Sequence, residues 1–356
     1  MRTQPKLRAR GALAACLLAV TAAAAGAQGT SADPRVGLRA GWHDAGEAIR
    51  NLELVSHTDR PAGFFNPDNM GDFGFINADI AFSGSNVFVG GYNGFQVWDV
   101  STPAHPVLRA SHVCPGGQGD VSVYGTLLFV SVEETRGRTD CGTNAPHDTV
   151  SVDRFRGVRI FDVSNVASPR QVGAVQTCRG SHTHTLVTDP KDPANVYIYV
   201  SGTGPARPGA ELTGCSGRPP EEDPNTSYFR IEVIKVPVAA PQDARIVNAP
   251  RLFANAATGA IAGLWQGGNH GPGTQTTSRT NQCHDITVYP EIGLAAGACA
   301  GNGILLDISD PANPRRVAEV SDPNFAYWHS ATFNNDGTKV LFSDEWGGGT
   351  QPRCQA

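Results

Sequence analysis

Short runs of alternating apolar and polar residues, separated by turns rich in Gly, Pro, Asn and Asp, follow one another along most of the chain. One run recurs, and each time it ends at a polar turn followed by Pro and a second short apolar run. Clear copies lie at residues 94–107, 157–169 and 303–317, and a divergent copy lies at 230–241. Alternating β-branched and aromatic residues bounded by turn residues predict two antiparallel strands joined by a short connection.

Each copy belongs to a longer unit of strand-like runs. The predicted strands are, unit by unit, 76–82, 87–90, 95–100 and 107–111; 120–123, 127–132, 158–163 and 171–175; 184–187, 196–200, 230–236 and 245–247; and 285–288, 293–297, 304–308 and 316–320. A fifth unit begins with 331–333 and 339–342 around Asp336-Gly337, a dipeptide that favours tight hairpin turns. Repeated four-stranded units, with insertions at 133–156, 201–227 and 249–282, predict an all-β fold, a β-propeller whose blades are these units.

The third strands carry the most specific motif. They resemble LVIVD repeats, a β-propeller repeat in which the third strand runs into Asp-Val-Ser-x-Pro. Matching stretches are 97–103, 160–164 and 305–311, whereas the third unit has Lys235 and Pro237 in place of the Asp and the Ser. The resemblance implies an exported propeller, commonly of seven blades, whose biochemical activity is largely undefined. It therefore implies a fold and a location, and little mechanism.

The chain divides into a signal peptide at 1–27, an N-terminal segment at 28–70 and the propeller at 71–356. The propeller part contains about four full blades and part of a fifth, fewer than the resemblance implies, so it is expected to be incomplete. Residues 51–56 alternate like a strand and are expected to complete the last blade of the ring. A five-bladed ring closed by the same strand is the alternative.

The N-terminus predicts export. Residues 1–10 are basic, 11–26 are apolar and Ala-rich, and Ala25-Gly26-Ala27 is a small-residue cleavage site. A lipoprotein signal ending at Cys16 is the alternative, but the apolar run continues past Cys16. No later stretch reaches the ~20 apolar residues that a membrane-spanning helix needs. The mature chain is therefore expected to be periplasmic, extracellular or at the cell surface, without a transmembrane segment.

Composition and charge agree with this interpretation. The chain has 356 residues with 41 Gly and 25 Pro, a turn-dense composition that suits an all-β protein. Its length exceeds the roughly 250–300 residues at which a single core usually stops growing, which favours a modular fold. The net charge of -5 offers no basic footprint, so nucleic acid is excluded as a partner.

Cysteines are expected to pair in an oxidising compartment, where they would anchor the long insertions. The candidates for disulfides are Cys114, Cys141, Cys178, Cys215, Cys283 and Cys299, and Cys354 is left over. Cys114 with Cys141 and Cys283 with Cys299 are plausible pairs, but the sequence cannot choose among the many pairings. A Cys–His metal site is the alternative, because Cys178 and Cys283 both lie close to histidines.

Polar residues recur where the first strand of each unit begins. The candidates for a metal site at the mouth of the central channel are Asp120, His182, His184, His284, Asp285 and His329. Imidazole and carboxylate groups from different blades suit one divalent ion such as zinc, iron or copper, and His182-x-His184 would place two imidazoles on one strand face. The structural alternative is that these side chains bond backbone N–H groups of the neighbouring blade.

The remaining acidic residues are interpreted from their positions. Asp99, Asp162 and Asp307 end the third strands, and their recurrence favours a structural role in the turn, since a catalytic residue is needed only once. Glu133-Glu134 lies in an insertion and is interpreted as solvated loop charge. Asp344-Glu345 follows a strand and can face a pocket.

These patterns support three functions. The first is a surface or periplasmic binding module for an unknown protein, peptide or glycan ligand. The second is a metal-dependent propeller enzyme, an oxidoreductase or hydrolase, and the third is a cell-surface spacer. The sequence contains neither a Gly-x-Ser-x-Gly nucleophile motif nor a phosphate-binding loop.

Overall fold

The computed structural model describes residues 33–41 and 44–346. The predicted signal peptide, Cys16 and Cys354 lie outside these residues. The chain forms two compact units, residues 1–55 and 56–356. In the described part of the first unit the backbone turns at 34–37 and forms no strand, and residue 56 is likewise not part of a strand. The strand predicted over 51–56 is therefore not formed in the described chain.

The second unit is built from antiparallel sheets with consecutive strand order. Blade 1 contains β1 (Asn77–Ser83), β2 (Asn86–Gly91), β3 (Gly94–Asp99) and β4 (Val107–Val113). Blade 2 contains β5 (Val121–Tyr124), β6 (Leu127–Val132), β7 (Gly157–Asp162) and β8 (Arg170–Gln176). Blade 3 contains β9 (His184–Thr188), β10 (Asn195–Val200), β11 (Glu232–Pro237) and β12 (Arg245–Asn248).

The later elements continue this pattern. A small two-stranded sheet, β13 (Gly268–Asn269) and β14 (Thr276–Thr277), lies within the third insertion. Blade 4 contains β15 (Asp285–Tyr289), β16 (Leu294–Cys299), β17 (Asn302–Asp307) and β18 (Arg315–Val320), and blade 5 contains β19 (Trp328–Phe333) and β20 (Val340–Asp344). The short 3-10 helices are Phe73–Phe75, Pro241–Asp243 and Pro290–Ile292. The predicted all-β fold of four-stranded blades is confirmed, and the blade number of a complete ring stays a prediction.

The four-stranded blades share a backbone irregularity. The pairing of the third strand with the fourth shifts register once in each blade, between the residue pairs Val97/Trp98, Ile160/Phe161, Val233/Ile234 and Leu305/Leu306. A β-bulge of this kind bends the outer strand and increases the local twist. Its recurrence in every four-stranded blade, including the divergent third one, shows that the units have one common geometry.

The hydrophobic core lies between successive blades. Phe88 and Phe95 of blade 1 pack with Leu128 and Phe161 of blade 2, and all four side chains are almost completely buried. Equivalent apolar clusters join blade 2 to blade 3, blade 3 to blade 4, and blade 4 to blade 5. The inner strands are buried on both faces. Their sequences are therefore apolar at nearly every position.

The repeated third-strand aspartates cap the turns that follow them. Oδ1 of Asp99, Asp162 and Asp307 accepts the backbone N–H of the Ser two residues later, at 2.9 Å in each blade. The other carboxylate oxygen pairs with an Arg on the fourth strand. In blade 4, the hydrogen bonds from Ser309 and the charge of Arg315 lower the pKa of Asp307 to about 2.

Three disulfides tie loops to the blades. Cys114 pairs with Cys141, Cys178 with Cys215 and Cys283 with Cys299. The first anchors the insertion of blade 2, and the second anchors the insertion of blade 3. Such bonds fit an oxidising compartment, while export itself stays a prediction. In the part of the chain that the structure describes, no helix is long and apolar enough to cross a membrane.

Candidate metal site

One edge of the sheets gathers the polar side chains. In an antiparallel meander, the first strand begins at the same edge where the second strand ends. His182 and His284 lie just before β9 and β15, and His329 lies at the start of β19. Glu133 and Glu345 directly follow the second strands β6 and β20. Four successive blades therefore contribute a side chain to this edge.

His284, His329 and Glu345 form a compact group. One potential ligand atom of each lies within 4.8 Å of the others. The imidazole rings of His284 and His329 have their centroids 3.9 Å apart, and His329 Nε2 lies 3.7 Å from Glu345 Oε1. Two imidazoles and one carboxylate at these separations suit a divalent transition metal.

The electrostatics of His284 favour its neutral form. Burial lowers its pKa most, the neighbouring His182 and His329 lower it further, and the resulting pKa is about 3. Its Nδ1 atom is buried and has no hydrogen-bond partner among the described residues. A neutral imidazole with a free nitrogen is the form that binds a metal, because the ligand atom must offer a lone pair.

His182 contacts His284 directly but is not one of the three residues of the compact group. His182 Nε2 is 3.0 Å from His284 Nε2, and His182 Nδ1 is 2.8 Å from Glu133 Oε2. Glu133 also accepts a hydrogen bond of 3.3 Å from Thr203 Oγ1 of the blade 3 insertion. Both ring nitrogens of His182 thus have protein partners, and His182 is not a member of the compact group.

Buried arginines hold the insertion backbone around this edge. Arg156 Nε donates to the Glu133 carbonyl at 2.7 Å, and Arg156 Nη2 donates to the Arg179 carbonyl at 2.9 Å. Arg179 in turn donates to Gly204 O and Thr203 O. These contacts tie the backbone carbonyl of Glu133 to the backbone of Arg179, Thr203 and Gly204, which positions Glu133 beside His182.

The predicted aspartates Asp120 and Asp285 bond the neighbouring blade. Asp120 Oδ2 accepts the backbone N–H of His184 at 2.9 Å, from blade 2 to blade 3. The carboxylate of Asp285 accepts the backbone N–H of Ala331, from blade 4 to blade 5. Asp79 makes the same contact from blade 1 to Val121 of blade 2, at 2.9 Å. This is the geometry of the structural alternative.

His184 belongs to the same inter-blade network. Its Nδ1 lies 2.7 Å from Asp120 Oδ2 and 2.8 Å from Ser131 Oγ, and its Nε2 lies 2.7 Å from Ser122 Oγ. The side chain is 0% exposed. With both nitrogens engaged by blade 2, His184 lies apart from the compact group, and the two histidines of the His182-x-His184 pair have different surroundings.

Burial and like charge raise the pKa values of two carboxylates near the starts of the first strands, Asp285 and Asp79. Burial raises the pKa of Asp285 most, the charge of Asp120 adds to it, and the pKa reaches about 6. The same two causes raise the pKa of Asp79. A further group, His112 with Cys114 and Cys141, has ligand-like spacing. Its cysteines are joined in a disulfide, so it is not available to a metal.

Sequence reasoning missed the roles of two glutamates. Glu133 was expected to be solvated loop charge, but its side chain is 17% exposed and is paired with His182. Glu345 was associated with a pocket without a partner, and the structure places it beside His329. A shared signal could have found both, because each is the first residue after the second strand of its blade.

Comparison with known proteins agrees with the repeat pattern. A family model of the LVIVD repeat matches residues 77–112, which span β1 to β4. Comparison with curated proteins found no match.

Solved structures provide similar folds at low sequence identity. A hypothetical selenium-binding protein from Sulfolobus tokodaii is 9% identical over 76% of this chain and 58% of that chain, with a TM-score of 0.48. A functionally unknown protein from Desulfotomaculum acetoxidans is 12% identical over 76% and 63%, with a TM-score of 0.42. Hydrazine synthase from Kuenenia stuttgartiensis is 10% identical over 74% and 60%, with a TM-score of 0.41.

This chain thus spans 58% to 63% of the length of these three proteins. The family match lies on the first blade, and the Asp-Val-Ser or Asp-Ile-Ser turn recurs in blades 1, 2 and 4. The chain thus contains an LVIVD repeat at residues 77–112 within an all-β, propeller-like fold of four-stranded antiparallel blades.

Proposed function

We propose that the chain binds one divalent transition-metal ion at the edge between blades 4 and 5 and acts as a metal-dependent enzyme. The ligands are His284 through Nδ1, an imidazole nitrogen of His329 and the carboxylate of Glu345. The observation that carries this proposal is the compact group of His284, His329 and Glu345, whose ligand atoms lie within 4.8 Å of one another. The buried Nδ1 of His284, which has no hydrogen-bond partner among the described residues, supports it. A buried polar atom without a partner is costly unless something binds it.

The donor set supports this proposal further. Two imidazoles and one carboxylate hold zinc in hydrolases and non-haem iron(II) in oxygenases, and in both cases other coordination positions stay open. Open positions distinguish a catalytic site from a closed structural site. Burial and the neighbouring histidines lower the pKa of His284 to about 3, which favours the neutral imidazole that a metal requires.

The residue roles follow from these positions. A bound ion would supply Lewis-acid or redox chemistry to a small substrate or water. His284 and His329 would hold the ion from the starts of the first strands of blades 4 and 5, and Glu345 would offset its positive charge. The sequence-based alternative of a metal-dependent oxidoreductase or hydrolase is therefore preferred here, and the interaction-module role stays a prediction.

Elemental analysis of the purified chain tests this function. We expect about one equivalent of zinc or iron after incubation with each metal, and loss of that metal in His329→Leu and Glu345→Leu variants. His105→Gln and Glu134→Gln are matched controls, because His105 is exposed and Glu134 pairs with Arg136. A chain that stays metal-free under all these conditions would contradict the proposal and favour the binding module.

A further inference from the structure

We infer that His182 is a positioning residue rather than a ligand, and that a relay from Glu133 through His182 sets His284 in the tautomer whose Nδ1 is free to bind metal. This inference rests on the proposed function and adds two residues to it. His182 Nε2 lies 3.0 Å from His284 Nε2, and His182 Nδ1 lies 2.8 Å from Glu133 Oε2.

With neutral imidazoles, the contacts along the relay are compatible with an arrangement that leaves Nδ1 of His284 free. An ionised carboxylate can only accept, so the contact with Glu133 Oε2 places the proton of neutral His182 on Nδ1. His182 Nε2 then carries a lone pair. Its 3.0 Å contact with His284 Nε2 requires the second proton to lie on His284 Nε2. Neutral His284 is consequently left with its lone pair on Nδ1, which is the atom without a partner.

The opposite placement of protons on His182 and His284 would block metal binding at His284 Nδ1. If His182 donated from Nε2, then neutral His284 would carry its proton on Nδ1. A backbone hydrogen bond with His329 acts on the His284 ring, but Nδ1 is buried and has no partner in ordinary hydrogen-bond geometry among the described residues. While protonated, that atom could not bind a metal. Only the first arrangement lets a bound ion satisfy the orphaned nitrogen. A ligating histidine whose other N–H is held by a second group in this way is the usual design of protein metal sites.

The relay is braced by three blades. Glu133 follows β6 of blade 2, His182 precedes β9 of blade 3, and His284 precedes β15 of blade 4. Thr203 Oγ1 donates to Glu133 Oε2 at 3.3 Å, and Thr183 Oγ1 donates to the His284 carbonyl at 2.5 Å. The hydroxyl of Thr183 therefore fixes the backbone of the ligand while its neighbour His182 fixes the ring.

Nitrogen NMR of the metal-free chain tests the relay without any metal. Long-range ¹H–¹⁵N spectra of the ¹⁵N-histidine-labelled protein should show a proton on Nδ1 of His182 and on Nε2 of His284. A proton on Nδ1 of His284 would overturn the inference. Because this measurement needs no ion, predicted tautomers in a chain that never binds metal would refute the proposed function and leave the relay standing.

Metal affinity provides the second readout. His182→Leu removes the acceptor for His284 Nε2–H and should weaken Co²⁺ binding about 10- to 100-fold. His182→Gln retains an acceptor oxygen and should restore most of that affinity, whereas Glu134→Gln should leave it unchanged. X-ray absorption of the Co²⁺ form should count two imidazole ligands. Three imidazoles, or unchanged affinity in His182→Leu, would overturn the positioning role.

Discussion

At the scale of single residues, the ability of a histidine to bind a metal depends on which of its ring nitrogens already has a hydrogen-bond partner. His182, His184 and His284 lie within three residues of strand starts, yet they have three different surroundings. His184 has blade 2 partners on both nitrogens, His182 bridges Glu133 and His284, and His284 keeps one nitrogen free. The residue type alone therefore does not identify the ligand.

His112 should make stability depend on pH at this scale. Burial lowers its pKa most and the charge of Arg159 adds to the effect, while its ring stacks on Phe95. The folded-state pKa is thus below the unfolded value of about 6.5, so the stability contribution is complete above that pH and is lost as the pH falls below it.

Urea unfolding at pH 7.5 and pH 5.5 checks this expectation. His112→Phe keeps an aromatic ring against Phe95 and cannot titrate, so the wild type should lose more stability than this variant on acidification. His105→Gln removes an exposed histidine and serves as the control. Equal losses in the wild type and His112→Phe would show that His112 is not responsible.

At the scale of elements, the insertions need covalent and polar anchors because they carry few strands. The blade 2 and blade 3 insertions meet through Glu211, whose Oε1 accepts from Arg207 Nε at 2.7 Å and whose Oε2 pairs with Arg154. All three side chains are buried, so the charges are paired rather than solvated. This pairing joins the two loops that flank Glu133 and Thr203.

The disulfides should stabilise the fold in the order of their loop lengths. Cys178–Cys215 closes a sequence separation of 37 residues, and Cys283–Cys299 closes one of 16. Restricting the longer unfolded loop removes more entropy, so Cys178→Ser/Cys215→Ser should cost about 4 kcal/mol and Cys283→Ser/Cys299→Ser about 3 kcal/mol. Chemical denaturation of both double variants measures this, and a clearly larger cost for the shorter loop would contradict the entropic explanation.

At the scale of the whole second unit, hydrogen bonds near the starts of the first strands join successive blades. Asp79, Asp120 and Asp285 each accept a backbone N–H of the next blade. Thr183 and Thr185 donate from blade 3 to backbone carbonyls of blade 4. These contacts add directional links to the apolar clusters between the blades, so the polar girdle and the core specify the same arrangement.

His184→Ala should therefore weaken the fold without removing the metal. The substitution removes the imidazole contacts with Asp120, Ser122 and Ser131 but keeps the backbone N–H of residue 184 that Asp120 accepts. Leaving buried hydrogen-bonding groups without a partner costs about 1–3 kcal/mol. Denaturation should show this loss while elemental analysis shows an unchanged metal content. Loss of the metal from an otherwise stable variant would instead place His184 in the metal site.

Much of the architecture follows from local chemistry in the sequence. Alternation and turn residues predicted the strands of all four complete blades, because strand period and turn geometry are properties of a few consecutive residues. The strand predicted at 51–56 is the exception, since alternation there has no partner strand in the described chain. The sequence likewise predicted the Asp–Ser turns, because the Asp carboxylate and the Ser N–H that it accepts are only two residues apart.

The sequence predicted only part of the candidate site. The sequence by itself determined that histidines and carboxylates would meet at one edge of the sheets, because their offset from the strand starts puts them there. Only the tertiary structure decided that Glu345 joins His284 and His329, that Glu133 supports His182, and how the cysteines pair. These contacts connect residues from different blades and insertions, and ligation depends on distances of a few ångströms that spacing along the chain does not encode.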